Sequence, residues 1–470
     1  MLDLLNNIIN AVSGVLYKPW CVPVILLLGG VILTVRSRFI QVRLLKESFK
    51  VITEKPKNEN SISSFGALMV STASRVGTGN IVGVALAICA GGAGAVFWMW
   101  VTAILGGASA FTESVLAQIY KKKDKDGSSY GGPAFYMQDA LKQRWLGVLF
   151  SIFIILTYAV GYNMLAAYNL QSTFKAFDFY GDQAPLIIGI ILAVLFGIIV
   201  IGGAKRLTKV TEVLVPGMGV LYIVVALVVL VLNARNIGPM FAMIFESAFN
   251  FKAIFGGFAG SCVMNGIKRG LYSNEAGMGS APNAAATADV SHPAKQGLVQ
   301  MLSVFIDTLL ICTATAFMCL SSGVAFGPEM DGATYVQSAL GATLGAFGPI
   351  FIAVAMSLFA FTTLIGNYAY CEGCLRFILQ KAPGKPGLLV FRCIATVLVL
   401  VGAMAEAGLV WNLADMLQGL MVVVNIPVIL ILMKPAMACL EDYCKQKKEG
   451  KDPEFIAANI GITDDLDFWK

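Results

Sequence analysis

The chain has 470 residues, 57% of them hydrophobic and only 13% charged, with a mean hydropathy of +0.76 and a formal net charge of +6. An ordinary soluble domain carries about a quarter charged residues, so this composition excludes one and indicates a polytopic membrane protein. The basic excess lies in loops, without interleaved aromatics, and no nucleic-acid partner is expected.

Leu5, Ile8, Ile9, Val12 and Leu16 recur at helical spacing, which predicts an interfacial amphipathic helix. No basic start or small-residue cleavage signature accompanies them, so no removable leader is expected. A membrane span needs about 20 apolar residues. A peripheral one falls at about 19–37, and ten core segments follow at about 63–91, 94–120, 145–177, 184–203, 209–233, 250–282, 296–322, 346–380, 386–405 and 408–434. The expected architecture is therefore an all-α membrane protein of 11 spans forming one domain over 1–470. Its parts are 1–62 (amphipathic segment, peripheral helix and loop), 63–233 and 250–434 (two halves), and a tail at 435–470.

The positive-inside rule orients these spans. If 38–62 is cytoplasmic, so are "YKKKDK" at 120, "GGAKRLTK" at 202, the stretch holding Lys268, Arg269 and Lys295, and the tail after Lys434. Of 34 Lys and Arg, only Lys18, Lys175, Arg235 and Lys252 then lie outside, with Arg75 inside the membrane. This places the N-terminus outside and the C-terminus in the cytoplasm of a cell membrane. The ten cysteines fall in spans or in the tail, which argues against a disulfide framework, and Cys371 and Cys374 form a lone CxxC.

Five helices per half make the halves an inverted pair, and the first helix of each is interrupted by glycine. One holds Gly77 and Gly79 in "SRVGTGNIVG"; the other holds Gly256, Gly257, Gly260, Gly266 and Gly270 before "SNEAGMGSAP". Matching breaks in inverted halves point to the binding site of a secondary transporter. Unpaired backbone in lipid costs several kcal/mol unless protein, water or ligand satisfies it. Uncoiled chain is expected at Gly77–Asn80, where amide N–H groups favour a carboxylate and released carbonyls favour a small cation. That combination suits an amino acid carried with Na⁺. Glycine for close helix packing is the alternative.

"SRVGTGNIVGVALAI", "GGAGAVFWMW", "YGGPAFYM", "KRGLYSNEAGMGSAPNAAATA" and "HPAKQGL", in that order, resemble the sodium:alanine (amino acid carrier) symporter family. The resemblance implies the leucine-transporter-type fold, two inverted five-helix repeats plus one N-terminal helix, and Na⁺-driven uptake of a small neutral amino acid of the alanine, glycine or glutamine class. The run "FTESVLAQIYK" from Phe111 is similar to the glutamine and alanine branch. The resemblance also implies that Thr78, Gly79 and Asn80 line the substrate site, and that Na⁺ sits among the carbonyls of Ala73, Val76 and Phe359 and the hydroxyls of Thr362 and Thr363. Oxygen ligands suit a hard cation, although either threonine could instead bond its own helix backbone. Phe258 is placed at the aromatic pocket wall or in simple packing, with Ser261 and Cys262 a turn on. Where many relatives show a "GNMVQAN" pattern and a Trp, this chain has Ala166, Tyr168 and Asn367, which puts side-chain selectivity there.

Arg75, Glu113, Asp307, Glu372 and Asp415 fall within spans, where ionisable groups are costly and face a cavity or a partner. Arg75 is expected either to form a cytoplasmic gate with Glu275 or Asp307 or to belong to a permanent ion pair. His292, the lone histidine, is expected to be a solvated residue at a helix start. Sodium is the coupling ion, lipid the surroundings, and no organic cofactor is expected; nothing in the sequence sets an oligomeric state. A phosphate-cradling enzyme at "NEAGMGSAP" lacks the GxxxxGK[ST] lysine. A proton-coupled carrier and a Na⁺-independent channel, facilitator or exchanger stay open as alternatives.

Overall fold

Hydrocarbon offers backbone groups no water, so an apolar chain must close its hydrogen bonds within helices. The computed structural model, which describes all residues except 1, 57–60, 126 and 470, is built in that way. The first helices are α1 (Leu2–Leu16), α2 (Val22–Arg36), α3 (Ile40–Arg43), α4 (Leu45–Val51), α5 (Ser64–Arg75), α6 (Val84–Gly91), α7 (Gly94–Ile119) and α8 (Pro133–Asp139). Next come α9 (Arg144–Ile155), α10 (Asn163–Thr173), α11 (Ala184–Ile201), α12 (Ala204–Leu232), α13 (Ile237–Ala248), α14 (Phe251–Gly256), α15 (Cys262–Asn274) and α16 (Ala281–Ala285). The last are α17 (Pro293–Val304), α18 (Thr313–Ser321), α19 (Gly332–Leu344), α20 (Phe347–Leu379), α21 (Lys385–Ala403), α22 (Ala407–Ile431) and α23 (Met433–Lys448). Among the described residues the only sheet is a two-residue hairpin, β1 (Lys122–Lys123) with β2 (Ser129–Tyr130).

Among the described residues eight helical segments are long and apolar enough to cross a bilayer, Arg144–Ala176 and Pro293–Ser321 each counted as one, and α5 with the segment Gly79–Gly91 makes a ninth, bent by 52°. The peripheral α2 is a shorter apolar helix. The segment expected at 250–282 is instead cut into α14, a 3₁₀ turn, α15 and α16. The structure adds α13 and α19, two helices inside connections where no apolar span was expected.

Helix α7 packs against α2, α15 and α17, while α20 packs against α5, α10 and α12. Glycine sets the closest of these approaches: a Cβ on Gly366 of α20 would strike the backbone of Ser74 on α5. Apolar side chains such as Ile191 and Val194 on α11 and Val220 and Val231 on α12 are exposed, as a lipid-facing surface requires. On α1, Ile9 and Leu16 are buried and Val12 half-buried against α22, and Ile8 is exposed; the side chain of Leu5 lies outside the described residues.

Two faces can be told apart. Tyr17 after α1 donates to the Asp415 carbonyl near the start of α22 (3.1 Å), which defines an α1 side. On the opposite, tail side, Lys447 of α23 pairs with Glu47 of α4 (2.7 Å), and the chain beyond α23 folds back under the bundle. There Phe455 N–H donates to the Ser291 carbonyl (3.0 Å), and Trp469 Nε1 donates to the Gln118 carbonyl (2.8 Å) while Trp469 packs against the small cluster formed by Ala67 of α5, Ala288 and Val290.

His292 does cap a helix, α17, but it is wholly buried rather than solvated: Nδ1 accepts from Ala294 N–H (3.2 Å) and Nε2 faces Asp442 (3.2 Å). Burial lowers its pKa from 6.5 to about 4. Because the folded value lies below the unfolded one, the unfolded chain binds the extra proton first, and stability falls as pH drops from about 6.5 towards about 4. The melting temperature is expected to decline over that window, and His292→Asn, which keeps a cap, should flatten the decline; an unchanged slope would place the acid sensitivity elsewhere.

Candidate substrate and cation site

The first break is shorter than expected and lies slightly earlier. Helix α5 ends at Arg75, Val76 adopts φ −74°, ψ 88°, and residues 79–83 continue as a π-helix. The irregular chain is thus centred on Val76 and Gly77 rather than on Gly77–Asn80. The Asn80 side chain explains the shift, because its Oδ1 accepts the Gly77 N–H (2.7 Å) and winding restarts immediately. With that N–H taken, the Ala73 carbonyl loses its ordinary i+4 donor. Gly77 is required here, since a Cβ would overlap Thr363 Oγ1.

Thr363 Oγ1 is buried and has no hydrogen-bond partner, an arrangement that costs energy unless a ligand completes it. Thr362 differs: its Oγ1 donates to the carbonyls of Leu358 (2.9 Å) and Phe359 (3.1 Å). One of the two predicted hydroxyls is therefore left without a hydrogen-bond partner, and the other is back-bonded next to the Phe359 oxygen.

Around the break, polar side chains converge from several helices. Thr78 Oγ1 meets Tyr272 OH of α15 (3.1 Å) and accepts from Asn169 Nδ2 of α10 (3.1 Å). Asn80 Nδ2 donates to Asp307 Oδ1 (2.7 Å), whose Oδ2 accepts from Ser273 (2.7 Å) and Thr308 (2.7 Å). Asn367 Oδ1 accepts from Ser74 (2.6 Å), and its Nδ2 donates to Asn163 (2.9 Å). Two π-helical segments, Gly79–Gly83 and Phe305–Cys312, pack on each other here, and a third, Leu156–Tyr162, reaches the region through the Tyr162 ring against Tyr272; such wide turns recur at functional sites.

The sequence missed Asn169, Tyr272 and Ser273. Asn169 lies three residues from Ala166, so both share one helix face. Tyr168 lies off that face, its ring under Lys175 Nζ at 5.9 Å, and does not reach the break. Spacing along α10 could have selected Asn169; Tyr272 and Ser273 had no local signal.

The second interrupted segment is broken twice, by the 3₁₀ turn Phe258–Gly260 between α14 and α15 and again at "EAGMGS", and the second of these breaks faces the first-half break. Helix α15 stops at Asn274, Glu275 takes a left-handed conformation (φ 55°), and Gly277 (φ 85°) and Gly279 (φ 78°) follow before α16. Only glycine adopts such angles cheaply. Glu275 accepts from Ser74 (2.8 Å) and Ser280 (2.8 Å), and Glu113 Oε2 takes Gly279 N–H (3.1 Å) and Asn425 Nδ2 (2.8 Å). Consequently α6 packs with α15 on one side of the breaks and α5 with α16 on the other. Phe258, Ser261 and Cys262 sit at the far end of α15: a Cβ on Gly91, the last residue of α6, would lie 3.2 Å from Cys262 Cα, and Ser261 caps its own helix. A whole helix separates them from Thr78.

Arg75 forms no ion pair with Glu275 or Asp307. Its Nη1 donates to the Gln300 carbonyl (3.3 Å), and its Nε and Nη2 are buried without partners. The acids expected to hold it are already taken by hydroxyls and amides. The buried ion pair on the α1 side is Arg269 with Asp415 (2.9 Å), joined by Lys268 (3.5 Å). The Arg269 guanidinium lies 4.3 Å from the Trp411 ring, and Tyr272 packs edge-on between Tyr162 (4.8 Å) and Trp411 (5.3 Å), directly above Thr78. Lys268 and Arg269 therefore belong to the α1 side, whereas Lys295 pairs with Glu54 (2.8 Å) on the tail side. Counting all three in one loop was an error of chain proximity.

The family model described as the sodium:alanine symporter family matches residues 2–457. The chain is 42% identical to the probable sodium/glutamine symporter GlnT of Bacillus subtilis, over 100% of this chain and 97% of that one. It is 38% identical to the sodium/alanine symporter AgcS of Methanococcus maripaludis, over 91% and 94%. Among solved structures, MhsT in complex with L-phenylalanine shares the fold with a TM-score of 0.52 at 15% identity, covering 82% of this chain and 90% of that one. A manganese transporter of Eremococcus coleocola does so with 0.53 at 14%, covering 87% and 85%. With a family model spanning nearly its full length and relatives of this identity, the chain belongs to the sodium:alanine symporter family, whose members are symporters and not enzymes.

Proposed function

We propose that the chain imports a small neutral amino acid of the alanine, glycine or glutamine class with Na⁺ by alternating access, as an 11-span protein of two inverted repeats (63–233 and 250–434) plus the peripheral α2. The α1 side faces outward and the tail side faces the cytoplasm. One observation carries the reading: the unpartnered Thr363 hydroxyl lies against Gly77, where α5 unwinds. Na⁺ takes that oxygen with Thr362 Oγ1 and the carbonyls of Ala73, Val76 and Phe359. Relatives whose names specify sodium with alanine or glutamine support the same ion and substrate class. One Na⁺ moving through about 100 mV supplies roughly 2.3 kcal/mol.

The substrate carboxylate takes the N–H groups at the start of the second half-helix, those of Thr78 and Gly79, where the helix dipole favours it. Asn169, Tyr272, Ser273 and Asn367 surround its side chain. With Thr78 and Asn80 wholly buried, the conformation described is occluded. The outer side opens by parting Tyr272 and Arg269 from Trp411 and Asp415; the inner side opens by moving α5 and α16 away from α7 and the tail.

In proteoliposomes, Thr363→Val should raise the KM for Na⁺ at least tenfold and Thr362→Val by less, because the latter hydroxyl is already bonded. Equal Na⁺ affinity in all three proteins would remove these residues from the cation site. Asn169→Ala should raise the amino-acid KM about tenfold, as loss of a buried hydrogen bond predicts, while Tyr168→Asn should leave it near wild type. The reverse ranking would turn α10 the other way.

A proton as a second coupling ion is favoured by a separate observation. Glu113, Glu275 and Asp307 are buried with a single guanidinium, Arg75, which forms an ion pair with none of them among the described residues. Uncompensated buried charge costs several kcal/mol per ion, and a proton relieves it. Two relatives are named as sodium/proton-dependent alanine carriers. Uptake that stays unchanged when a pH gradient is imposed at fixed Na⁺ would discard this reading.

A further inference from the structure

A cavity of about 470 Å³ opens on the tail side, between the end of α2 and α23. Its wall holds five basic side chains, Arg36, Arg38, Arg43, Lys445 and Lys448, against two carboxylates. Those carboxylates are only partly spent on the cavity. Glu441 makes a loose, exposed pair with Arg38 (3.7 Å), and Glu449 is drawn to Lys451 (2.7 Å). Arg36, Lys445 and Lys448 make no ion pair among the described residues, so the cavity keeps a surplus of positive charge.

The adjoining backbone is unusual in a way that bears on the occupant. Arg38 and Phe39 both adopt left-handed angles (φ 55°), a conformation that non-glycine residues hold only when the surroundings impose it. The turn leaves Phe39 60% exposed and Val42 80% exposed next to the basic wall. Val35 and Ile32, also exposed, continue that apolar surface up α2. A free anion uses the charges and has no use for the apolar strip, whereas an amphiphile uses both. The position, at the mouth of a short membrane helix, is where a bilayer presents one.

We propose that this cavity binds the headgroup of an anionic phospholipid, its phosphate held by Arg36, Arg43 and Lys448 and its acyl chains laid along Phe39, Val42 and Val35. Basic cavities between membrane helices are suited to such headgroups, and each basic residue near the surface adds severalfold to the preference. The transport site is some distance away, so the proposal stands apart from the transport reading.

Native mass spectrometry and thermal unfolding of the purified, delipidated full chain test it, with phosphatidylglycerol, phosphatidylcholine or inorganic phosphate added. Phosphatidylglycerol is expected to be retained and to raise the melting temperature, with phosphatidylcholine and phosphate doing neither. The pair Lys445→Gln/Lys448→Gln, both exposed at the end of α23 and safe for folding, should cut the preference for phosphatidylglycerol over phosphatidylcholine roughly thirtyfold; Arg36→Gln/Arg43→Gln should do the same. Equal retention of the two lipids, equal protection by phosphate, or an undiminished preference in both double variants would overturn the assignment.

Discussion

Gly77→Ala is expected to lower Na⁺-driven uptake at least a hundredfold. The added methyl would occupy the position of Thr363 Oγ1, so either α5 moves away from α20 or the threonine rotates out of the proposed cation site. Neither movement is free, because Gly366 holds the same two helices in backbone contact one turn along α20. Overpacking of this kind typically costs about 1–3 kcal/mol, and here it falls on the atoms that we propose hold the ion. The double variant Gly77→Ala/Thr363→Ala separates the two effects: it removes the overlap and should restore the melting temperature, yet it also removes the ligand oxygen, so Na⁺ stimulation should stay absent. Recovery of both stability and Na⁺-dependent uptake would show that Gly77 serves packing alone.

Asp415→Asn should have the second largest effect, on the α1-side cluster that we propose as a gate. Removing one member of a buried ion pair costs about 3–5 kcal/mol because the partner is left uncompensated, and Asp415 faces two cations, Arg269 (2.9 Å) and Lys268 (3.5 Å). The closed form is therefore expected to lose at least a hundredfold in population relative to one open on the α1 side. Arg269→Gln should be milder, since Asp415 keeps Lys268. In chains whose native cysteines are replaced, Thr78→Cys should then react with an impermeant maleimide faster in the Asp415→Asn background than in the wild-type background. Equal labelling rates would mean that this cluster holds shape without controlling access.

Long apolar helices were readable because a bilayer converts length and hydropathy directly into structure; α7, α11, α20 and α22 fall within a few residues of their expected bounds. The first break was readable as well, although Asn80 shortens it by capping Gly77 with its own side chain, which composition does not announce. The glycines at 256, 257 and 260 do mark an interruption, the 3₁₀ turn before α15, but the left-handed turns that meet α5 fall at Glu275, Gly277 and Gly279, inside the run "SNEAGMGSAP" where nothing in the sequence marks an exact position. Placement of Lys268 and Arg269 failed for a related reason: a helix that ends inside the membrane puts neighbours in sequence on opposite sides of the site. Asn169, Tyr272 and Asp307 reach Thr78 and Asn80 only through packing of separate helices, and no periodicity within one segment encodes that meeting.

The indole of Trp469 is tied at once to the end of α7 and to the flank of α5. Any swing of α5 that admits water from that direction must unpick this stitch and wet the ring. The molecule thus carries its own optical reporter: of its six tryptophans, this one should shift its emission to the red whenever the tail side opens, with no dye attached.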